Sequence, residues 1–189
     1  MSEHVSMLRP AVFLDRDGTL MEEVHYCADP ALVRLFPGTG SALRELTARG
    51  YLCVIITNQS GIGRGLLTEA QYHAVQAELL RQLEAEVISA SYFCPDAPPT
   101  PSPRRKPEPG MVLEAARDLG IDLAQSWFVG DKAADIECGT RAGTRTILVQ
   151  TGYGTQTAGE PCQPAPNFIA KDVVAAVALI LQNSDAIRP

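Results

Sequence analysis

The sequence lacks long hydrophobic runs and an excess of positive charge. Its apolar runs, such as residues 52–56 and 173–181, are much shorter than the about 20 residues that a membrane span requires. Residues 1–10 lack the apolar core of a signal peptide, so we expect a cytoplasmic protein. There are 16 Lys and Arg against 22 Asp and Glu, a formal net charge of −6. Since that charge repels phosphate backbones and anionic lipids, we expect no nucleic-acid partner and no membrane partner.

Paired cysteines are also lacking. The five cysteines are odd in number, widely spaced and form no C-x-x-C pair, which argues against a disulfide framework. No internal repeat is visible, and 189 residues that are 46% hydrophobic suffice for one substantial core. We therefore predict a single, monomeric domain over residues 1–189, with residues 1–10 as a flexible N-terminal segment.

Apolar segments and helical patterns alternate along the chain. The apolar segments predict strands at residues 11–15, 51–57, 87–93, 126–131 and 144–150, and a short edge strand and a closing helix within 167–182. Helices are predicted at 38–49, 68–86, 110–119 and 133–142. This alternation is typical of an α/β fold with a doubly wound, mainly parallel, Rossmann-like sheet, whose ligands bind beyond the carboxyl ends of the strands.

Two connections have unusual compositions. Residues 95–109 contain seven prolines, which predicts an irregular and stiff loop. Residues 152–166 are rich in Gly, Pro and Thr, which predicts a surface connection. The intervals from Asp17 to Thr57 and from Thr57 to Lys106 leave no room for a large cap domain, so we expect a minimal cap or none.

Carboxylates follow two of the predicted strands. Asp15 and Asp17 come after the first strand, and Asp131 and Asp135 come after the fourth. A carboxylate at a strand end can attack phosphorus, and a second one can carry the proton of the leaving group. Carboxylate oxygens also suit Mg²⁺. These positions predict one acidic site at the edge of the sheet.

Phosphate-binding groups occur at two further places. Residues 57–60, Thr-Asn-Gln-Ser, end the second strand and offer short polar side chains and backbone N–H groups to phosphoryl oxygens. Residues 104–106, Arg-Arg-Lys, lie in the proline-rich loop. A cation is needed there because one Mg²⁺ does not neutralise a transferring phosphoryl group together with a carboxylate nucleophile.

Four segments, FLDRDGTL, TNQSGIGRG, RRKPEPGM and FVGDKAADI, together resemble the haloacid-dehalogenase-like phosphatase superfamily. Within it they are most similar to the D-glycero-D-manno-heptose 1,7-bisphosphate phosphatases, with the histidinol-phosphate phosphatases next. The resemblance implies Asp15 as nucleophile, Asp17 as general acid and base, and Thr57 and Lys106 as phosphoryl-binding groups. It implies that Mg²⁺ is held by Asp15, the Asp17 carbonyl and Asp131, supported by Asp135.

The resemblance also implies a set of substrate contacts. They are Glu23, His25, Tyr26, Asn58, Gln59, Ser60, Arg64, Arg105 and Lys132. The chain departs from the family in one respect, because those phosphatases commonly hold a structural zinc with three cysteines and a histidine before the basic motif. Only Cys94 stands there in this sequence, and one thiolate cannot form a closed tetrahedral site. We expect no structural zinc, with proline stiffness in residues 95–109 taking its place.

The function that follows is a Mg²⁺-dependent phosphatase acting on a sugar phosphate monoester through an aspartyl-phosphate, and removing the C7 phosphate of D-glycero-D-manno-heptose 1,7-bisphosphate. A histidinol-phosphate or other small phosphate-ester phosphatase is the alternative, since the strand-end motifs are shared by all of these enzymes. A non-hydrolytic phosphoacceptor also combines an Asp, Mg²⁺ and a Lys on such a sheet. Asp17 argues against it, because an acid/base carboxylate beside the nucleophile hastens hydrolysis.

Overall fold

A computed structural model describes residues 8–184 of the chain. This part forms a single sheet whose strands are β1 Ala11–Leu14, β2 Leu52–Asn58, β3 Ala90–Cys94, β4 Trp127–Gly130, β5 Arg145–Val149 and β6 Phe168–Ala170. The strand order is β3-β2-β1-β4-β5-β6, and every pairing is parallel. The predicted doubly wound α/β fold is confirmed, and residues 8–184 contain no separate cap domain.

Helices connect the strands and cover both faces of the sheet. They are α1 Thr39–Ala48, α2 Ser60–Gly63, α3 Glu69–Gln82, α4 Gly110–Leu119, α5 Ala133–Ala142, α6 Gly154–Gly159 and α7 Val173–Ser184. The central strand β1 is buried along its whole length. Its alternate side chains enter two cores, since Val12 and Leu14 pack with α1, α3 and α7, whereas Ala11 and Phe13 pack with α4 and α5.

The winding of the sheet reverses at β1. The chain passes from β1 to β2 and β3 on one side, and later returns to place β4 on the other side of β1. The carboxyl ends of β1 and β4 therefore open onto the crevice in which such folds bind their ligands. Asp15 follows β1 and Asp131 follows β4.

Two boundaries and one connection differ from the sequence predictions. The helix predicted to end near residue 86 ends at Gln82, because Glu84 adopts a left-handed backbone with φ of 61° and a 3₁₀ turn follows at Ala85–Val87. The third strand consequently begins at Ala90 rather than at residue 87. The predicted surface connection 152–166 contains the short helix α6.

Residues 1–7 of the predicted flexible segment lie outside the described residues. Arg9 belongs to the folded part, since its N–H donates to the Gly120 carbonyl at 3.0 Å and its carbonyl accepts from the Asp122 N–H at 2.9 Å. None of the helices between residues 8 and 184 has the length and apolar character needed to cross a bilayer.

Candidate active site

A cavity of about 310 Å³ opens at the carboxyl ends of β1, β2 and β4. Most of the predicted site residues line it: Asp15, Asp17, Glu23, His25, Tyr26, Thr57, Asn58, Gln59, Ser60, Lys106, Lys132 and Asp135. Strand ends that meet at one edge of a parallel sheet bring these distant sequence segments together.

Lys106 forms the buried centre of the cavity floor. Its Nζ lies 2.7 Å from Asp15 Oδ1 and 2.6 Å from Asp135 Oδ1, and it donates to the Ile56 carbonyl at 2.9 Å. Burial alone would lower the pKa of this amine, but the carboxylates of Asp135 and Asp15 raise it above its ordinary value. Lys106 is therefore a fixed positive charge beside the predicted nucleophile.

Asp131 completes an acidic cluster. One oxygen from each of Asp15, Asp131 and Asp135 lies within 4.8 Å of the others, and all three residues are buried. The Oδ2 atom of Asp131 accepts from the Tyr153 N–H at 2.8 Å, whereas its Oδ1 atom is buried without a partner. Burial and the nearby Asp15 and Asp135 raise the pKa of Asp131 to about 8.

These features fit a divalent cation. Three carboxyl groups face one ammonium group, that of Lys106, and ionisation of all three would leave two negative charges for a bound cation to balance. The unpartnered Oδ1 of Asp131 is a hard oxygen of the type that Mg²⁺ binds. Both oxygens of Asp135 already have partners, Lys106 Nζ and the Lys132 N–H. Asp135 is therefore less available as a direct metal ligand than Asp131.

Two glycines allow the loops to approach Asp131. A Cβ atom on Gly18 or on Gly152 would lie 2.3 Å from Asp131 Oδ2, and both residues have positive φ, 86° and 54°. The Thr151 hydroxyl donates to the Gly18 carbonyl at 2.6 Å, and the Thr157 hydroxyl donates to the Asp131 carbonyl at 2.9 Å. The connection after β5 is thus a wall of the site, which composition alone did not reveal.

The side chain of Asp17 accepts hydrogen bonds from two residues, Arg16 and Gln59. Arg16 donates from Nε and Nη2 to its two oxygens at 3.0 and 3.1 Å, and Gln59 Nε2 donates to its Oδ2 at 2.9 Å. Arg16 is itself buried, with its guanidinium 5.3 Å from the centre of the Tyr72 ring. Sequence analysis did not assign a role to Arg16. Its position between Asp15 and Asp17 was the one available indication that it belongs to the site.

The loop after β2 places polar side chains in the cavity and is hydrogen-bonded to the backbone of Lys106. Thr57 is buried and its hydroxyl oxygen accepts from Gln59 Nε2 at 3.0 Å. Asn58 bonds to the backbone of Lys106. Ser60 begins the short helix α2. The loop therefore connects Thr57, the threonine predicted to bind the phosphoryl group, to the buried lysine.

The mouth of the cavity carries opposite charges beside an aromatic ring. Lys132 Nζ lies 3.2 Å from Glu23 Oε2 and 4.5 Å from the centre of the Tyr153 ring. The rings of His25 and Tyr26 lie edge to face, and Tyr26 has a positive φ of 53°. A bulky residue in this conformation is strained, as often occurs at binding sites. Tyr153 is a lining residue that sequence analysis missed.

Two predicted contacts lie off the cavity wall. Arg64 is exposed at the end of α2, and Arg105 donates from Nη1 to the Asp96 carbonyl at 2.9 Å within the proline-rich loop. Neither lines the cavity. Their substrate contacts stay predictions.

The proline-rich loop has its own polar cluster. Cys94 Sγ lies 3.5 Å from Asp96 Oδ2 and 3.6 Å from Ser102 Oγ. Burial raises the pKa of the Cys94 thiol. The only group of three or more potential metal-ligating side chains between residues 8 and 184 is the aspartate cluster of the cavity. The absence of structural zinc stays a prediction.

Comparisons with known proteins identify close relatives. Residues 103–176 match a family model described as HAD-hydrolase-like. The chain is 41% identical over 186 residues to the D-glycero-D-manno-heptose-1,7-bisphosphate 7-phosphatase of Thermosynechococcus vestitus, covering 90% of this chain and 95% of that protein. It is 39% identical over 164 residues to the D-glycero-beta-D-manno-heptose-1,7-bisphosphate 7-phosphatase of Haemophilus ducreyi, covering 82% and 90%.

Solved structures agree with the sequence relatives. The D,D-heptose 1,7-bisphosphate phosphatase from B. bronchiseptica, complexed with magnesium and phosphate, matches with a TM-score of 0.85 and 32% identity, covering 92% of this chain and 99% of that one. The corresponding enzyme from Burkholderia thailandensis matches with a TM-score of 0.70 and 30% identity, covering 92% and 99%.

Proposed function

The chain belongs to the heptose 1,7-bisphosphate phosphatases of the haloacid-dehalogenase-like hydrolases and is a phosphoric monoester hydrolase, and on this basis we propose that it removes the C7 phosphate of D-glycero-D-manno-heptose 1,7-bisphosphate with Mg²⁺. The observation that carries this proposal is the buried contact of Lys106 with Asp15, at 2.7 Å, beside the unpartnered oxygen of Asp131. The predicted nucleophile and a fixed cation then line the cavity, next to a buried oxygen of the type that binds a metal ion.

The first half-reaction is transfer of the phosphoryl group to Asp15. A carboxylate oxygen of Asp15 forms a bond to phosphorus while the bond to the sugar oxygen breaks. Asp17 gives its proton to the departing sugar oxygen. The products of this step are the heptose monophosphate and an aspartyl-phosphate at Asp15.

The second half-reaction is hydrolysis of that aspartyl-phosphate. The Asp17 carboxylate takes a proton from a water molecule, whose oxygen forms a new bond to phosphorus as the bond to Asp15 breaks. Lys106 and the Thr57 hydroxyl hold the phosphoryl oxygens in both steps, because negative charge spreads over those oxygens in the transition state.

Asp15, Asp131 and the backbone carbonyl of Asp17 would hold Mg²⁺, with Asp135 supporting from behind. When bound, Mg²⁺ neutralises the charge of the phosphoryl group and of the carboxylates that face it. Asp135 keeps Lys106 in place through its 2.6 Å contact, which makes it a positioning residue.

The cavity mouth suits a polar, hydroxyl-rich substrate. Glu23 and Lys132 offer an acceptor and a donor there, and Tyr153 and Tyr26 offer ring faces for the carbon skeleton. Since no cap domain covers the cavity in residues 8–184, the sugar itself contributes to excluding water.

The substrate is tested by comparing kcat/KM, with Mg²⁺ present, for both anomers of the heptose bisphosphate, histidinol phosphate, common hexose phosphates and a nucleotide. A preference for one heptose anomer of about 100-fold or more, roughly 2.7 kcal/mol of transition-state discrimination, supports the proposal. Flat activity across the panel would leave a phosphatase but refute the heptose assignment, and a preference for histidinol phosphate would support the alternative.

The roles of the two aspartates are tested by Asp15→Asn and Asp17→Asn. We expect Asp15→Asn to abolish turnover and Asp17→Asn to slow both half-reactions. Substantial activity in Asp15→Asn would remove Asp15 as the nucleophile. Many turnovers per molecule of the unaltered protein would exclude the phosphoacceptor alternative.

A further inference from the structure

Gln59 occupies the space between the predicted acid and the predicted phosphoryl-binding threonine. Its Nε2 donates to Asp17 Oδ2 at 2.9 Å and to Thr57 Oγ1 at 3.0 Å. A glutamine amide carries two N–H bonds, and both are used inside the protein. No N–H of this side chain is left to donate to a substrate.

Burial and backbone hydrogen bonds hold Gln59 in place. Its side chain is buried, its backbone N–H donates to the Cys94 carbonyl at 2.8 Å, and its carbonyl accepts from the Ile62 N–H at 3.1 Å. The side chain therefore projects from a backbone that is bonded to both the end of β3 and the first turn of α2. A donor fixed in this way imposes an orientation on its acceptors.

The two acceptors respond differently to the same donor. Asp17 also accepts from Nε and Nη2 of Arg16, so Gln59 supplies a third donor, which shares the Oδ2 atom with Arg16 Nε. The Thr57 oxygen is used as an acceptor by Gln59, so its own hydroxyl hydrogen is directed elsewhere. In the cavity, that hydrogen is free to donate to a phosphoryl oxygen.

We propose that Gln59 is a positioning residue that aligns the Asp17 carboxyl group with the Thr57 hydroxyl, and thereby directs the proton of the protonated Asp17 towards the leaving oxygen. This inference rests on the proposed role of Asp17 as general acid. It adds a contact with the proposed catalytic residues to the substrate contact that the sequence resemblance implies for Gln59.

Loss of this alignment has a specific kinetic signature. Without a well-placed proton the leaving oxygen departs with more negative charge, so the rate depends more steeply on the basicity of the leaving group. Phenyl phosphate and p-nitrophenyl phosphate differ in that basicity but share the ring. The ratio of their kcat/KM values, which report the first half-reaction, isolates proton donation from binding of the sugar.

The test compares this ratio in Gln59→Met, Asp17→Asn and a matched control, Gln76→Met. Gln76 is an equally buried glutamine, 6% exposed like Gln59, whose Nε2 donates to Ser91 Oγ at 3.1 Å outside the cavity. We expect Gln59→Met to lower kcat/KM for phenyl phosphate about tenfold relative to p-nitrophenyl phosphate, Asp17→Asn to lower it further, and Gln76→Met to leave the ratio unchanged. Both substrates are measured on one preparation, so a loss of folded protein cancels from the ratio.

Gln59→Leu gives a second reading, because it keeps a side chain of similar size but removes the amide donor. The same loss is expected. An unchanged ratio in both Gln59 variants, with a changed ratio in Asp17→Asn, would overturn the role of Gln59 and leave the proposed function standing. An unchanged ratio in Asp17→Asn as well would overturn the acid role of Asp17 and the inference built on it.

Discussion

Asn58 is hydrogen-bonded twice to the main chain of Lys106. Its Nδ2 donates to the Lys106 carbonyl at 3.1 Å, and its Oδ1 accepts from the Lys106 N–H at 3.0 Å. This pair of bonds ties the proline-rich loop to the end of β2, so the position of the buried lysine is set by the sheet.

Removing that connection is expected to damage catalysis more than folding. Asn58→Ala leaves the backbone groups of Lys106 without these partners, and we expect kcat to fall about 100-fold through misplacement of the ammonium group. The free energy of unfolding should fall by about 1 to 3 kcal/mol. Steady-state kinetics and urea unfolding measure the two quantities.

Asn167→Ala is the matched control for this variant. Asn167 Oδ1 also accepts from a backbone N–H, that of Thr146 at 2.7 Å, and neither residue lines the cavity. It should lose a similar amount of stability without a change in kcat. Unaltered kcat in Asn58→Ala would contradict the anchoring role.

Asp131→Asn is expected to lose activity and to raise the stability of the metal-free protein. The Asp131 Oδ1 atom is buried without a partner in an acidic cluster. An asparagine amide there would donate to the neighbouring carboxylates, while its oxygen keeps the bond to the Tyr153 N–H. We expect the metal-free variant to be more stable by about 1 to 3 kcal/mol, and to lose both activity and stabilisation by Mg²⁺. A less stable variant that still responds to Mg²⁺ would place the metal elsewhere.

The pH dependence of stability follows from the same residue. The pKa of Asp131 is raised to about 8 by burial and by Asp15 and Asp135, whereas an unfolded aspartate has a pKa of ~3.9. Between these values the folded state keeps a proton that the unfolded state has released. The free energy of unfolding of the metal-free protein should therefore fall as the pH rises through that range.

Mg²⁺ binds the carboxylate form, so it competes with this proton. We expect the stabilisation by Mg²⁺ to be larger near pH 8 than near pH 5.5, and Asp131→Asn to abolish the difference. Thermal unfolding at the two pH values, with and without Mg²⁺, measures it. An equal or larger effect of Mg²⁺ at the acid pH would refute the assignment.

The proline-rich loop is expected to hold its shape without zinc. Cys94 contacts Asp96 and Ser102, and Arg105 bonds to the Asp96 carbonyl. After removal of all divalent metals with a chelator, Mg²⁺ alone should restore full activity, and Cys94→Ala should keep kcat within about threefold because a single thiolate forms no closed metal site. Stoichiometric zinc in the purified protein, or activity that returns only with zinc, would contradict this prediction.

The sequence predicts the parallel sheet and the strand-end residues well, because both depend on local patterns. Buried apolar runs that stop at Asp15 and Asp131 mark strand ends, and a parallel sheet brings such ends together. The helix boundary at Gln82 was not predictable in this way, since it depends on the left-handed backbone of Glu84, a residue with no preference for that conformation.

The missed parts of the site depend on contacts between distant segments. Gly152 and Tyr153 lie in a stretch whose composition suggests only a surface loop, and their role follows from their approach to Asp131 across 21 and 22 residues of chain. Gln59 could be assigned to the phosphate-binding loop from its position. The direction of its amide, towards Asp17 and Thr57, is a property of the folded backbone.

The most direct test of the central claim is ³¹P NMR of the products formed from D-glycero-D-manno-heptose 1,7-bisphosphate with Mg²⁺. The account predicts that the signal of the C7 phosphate ester disappears over many turnovers, that the C1 phosphate is retained, and that Asp15→Asn gives no inorganic phosphate. Release of the C1 phosphate, or no release from this substrate by a protein that hydrolyses other phosphate esters, would contradict it.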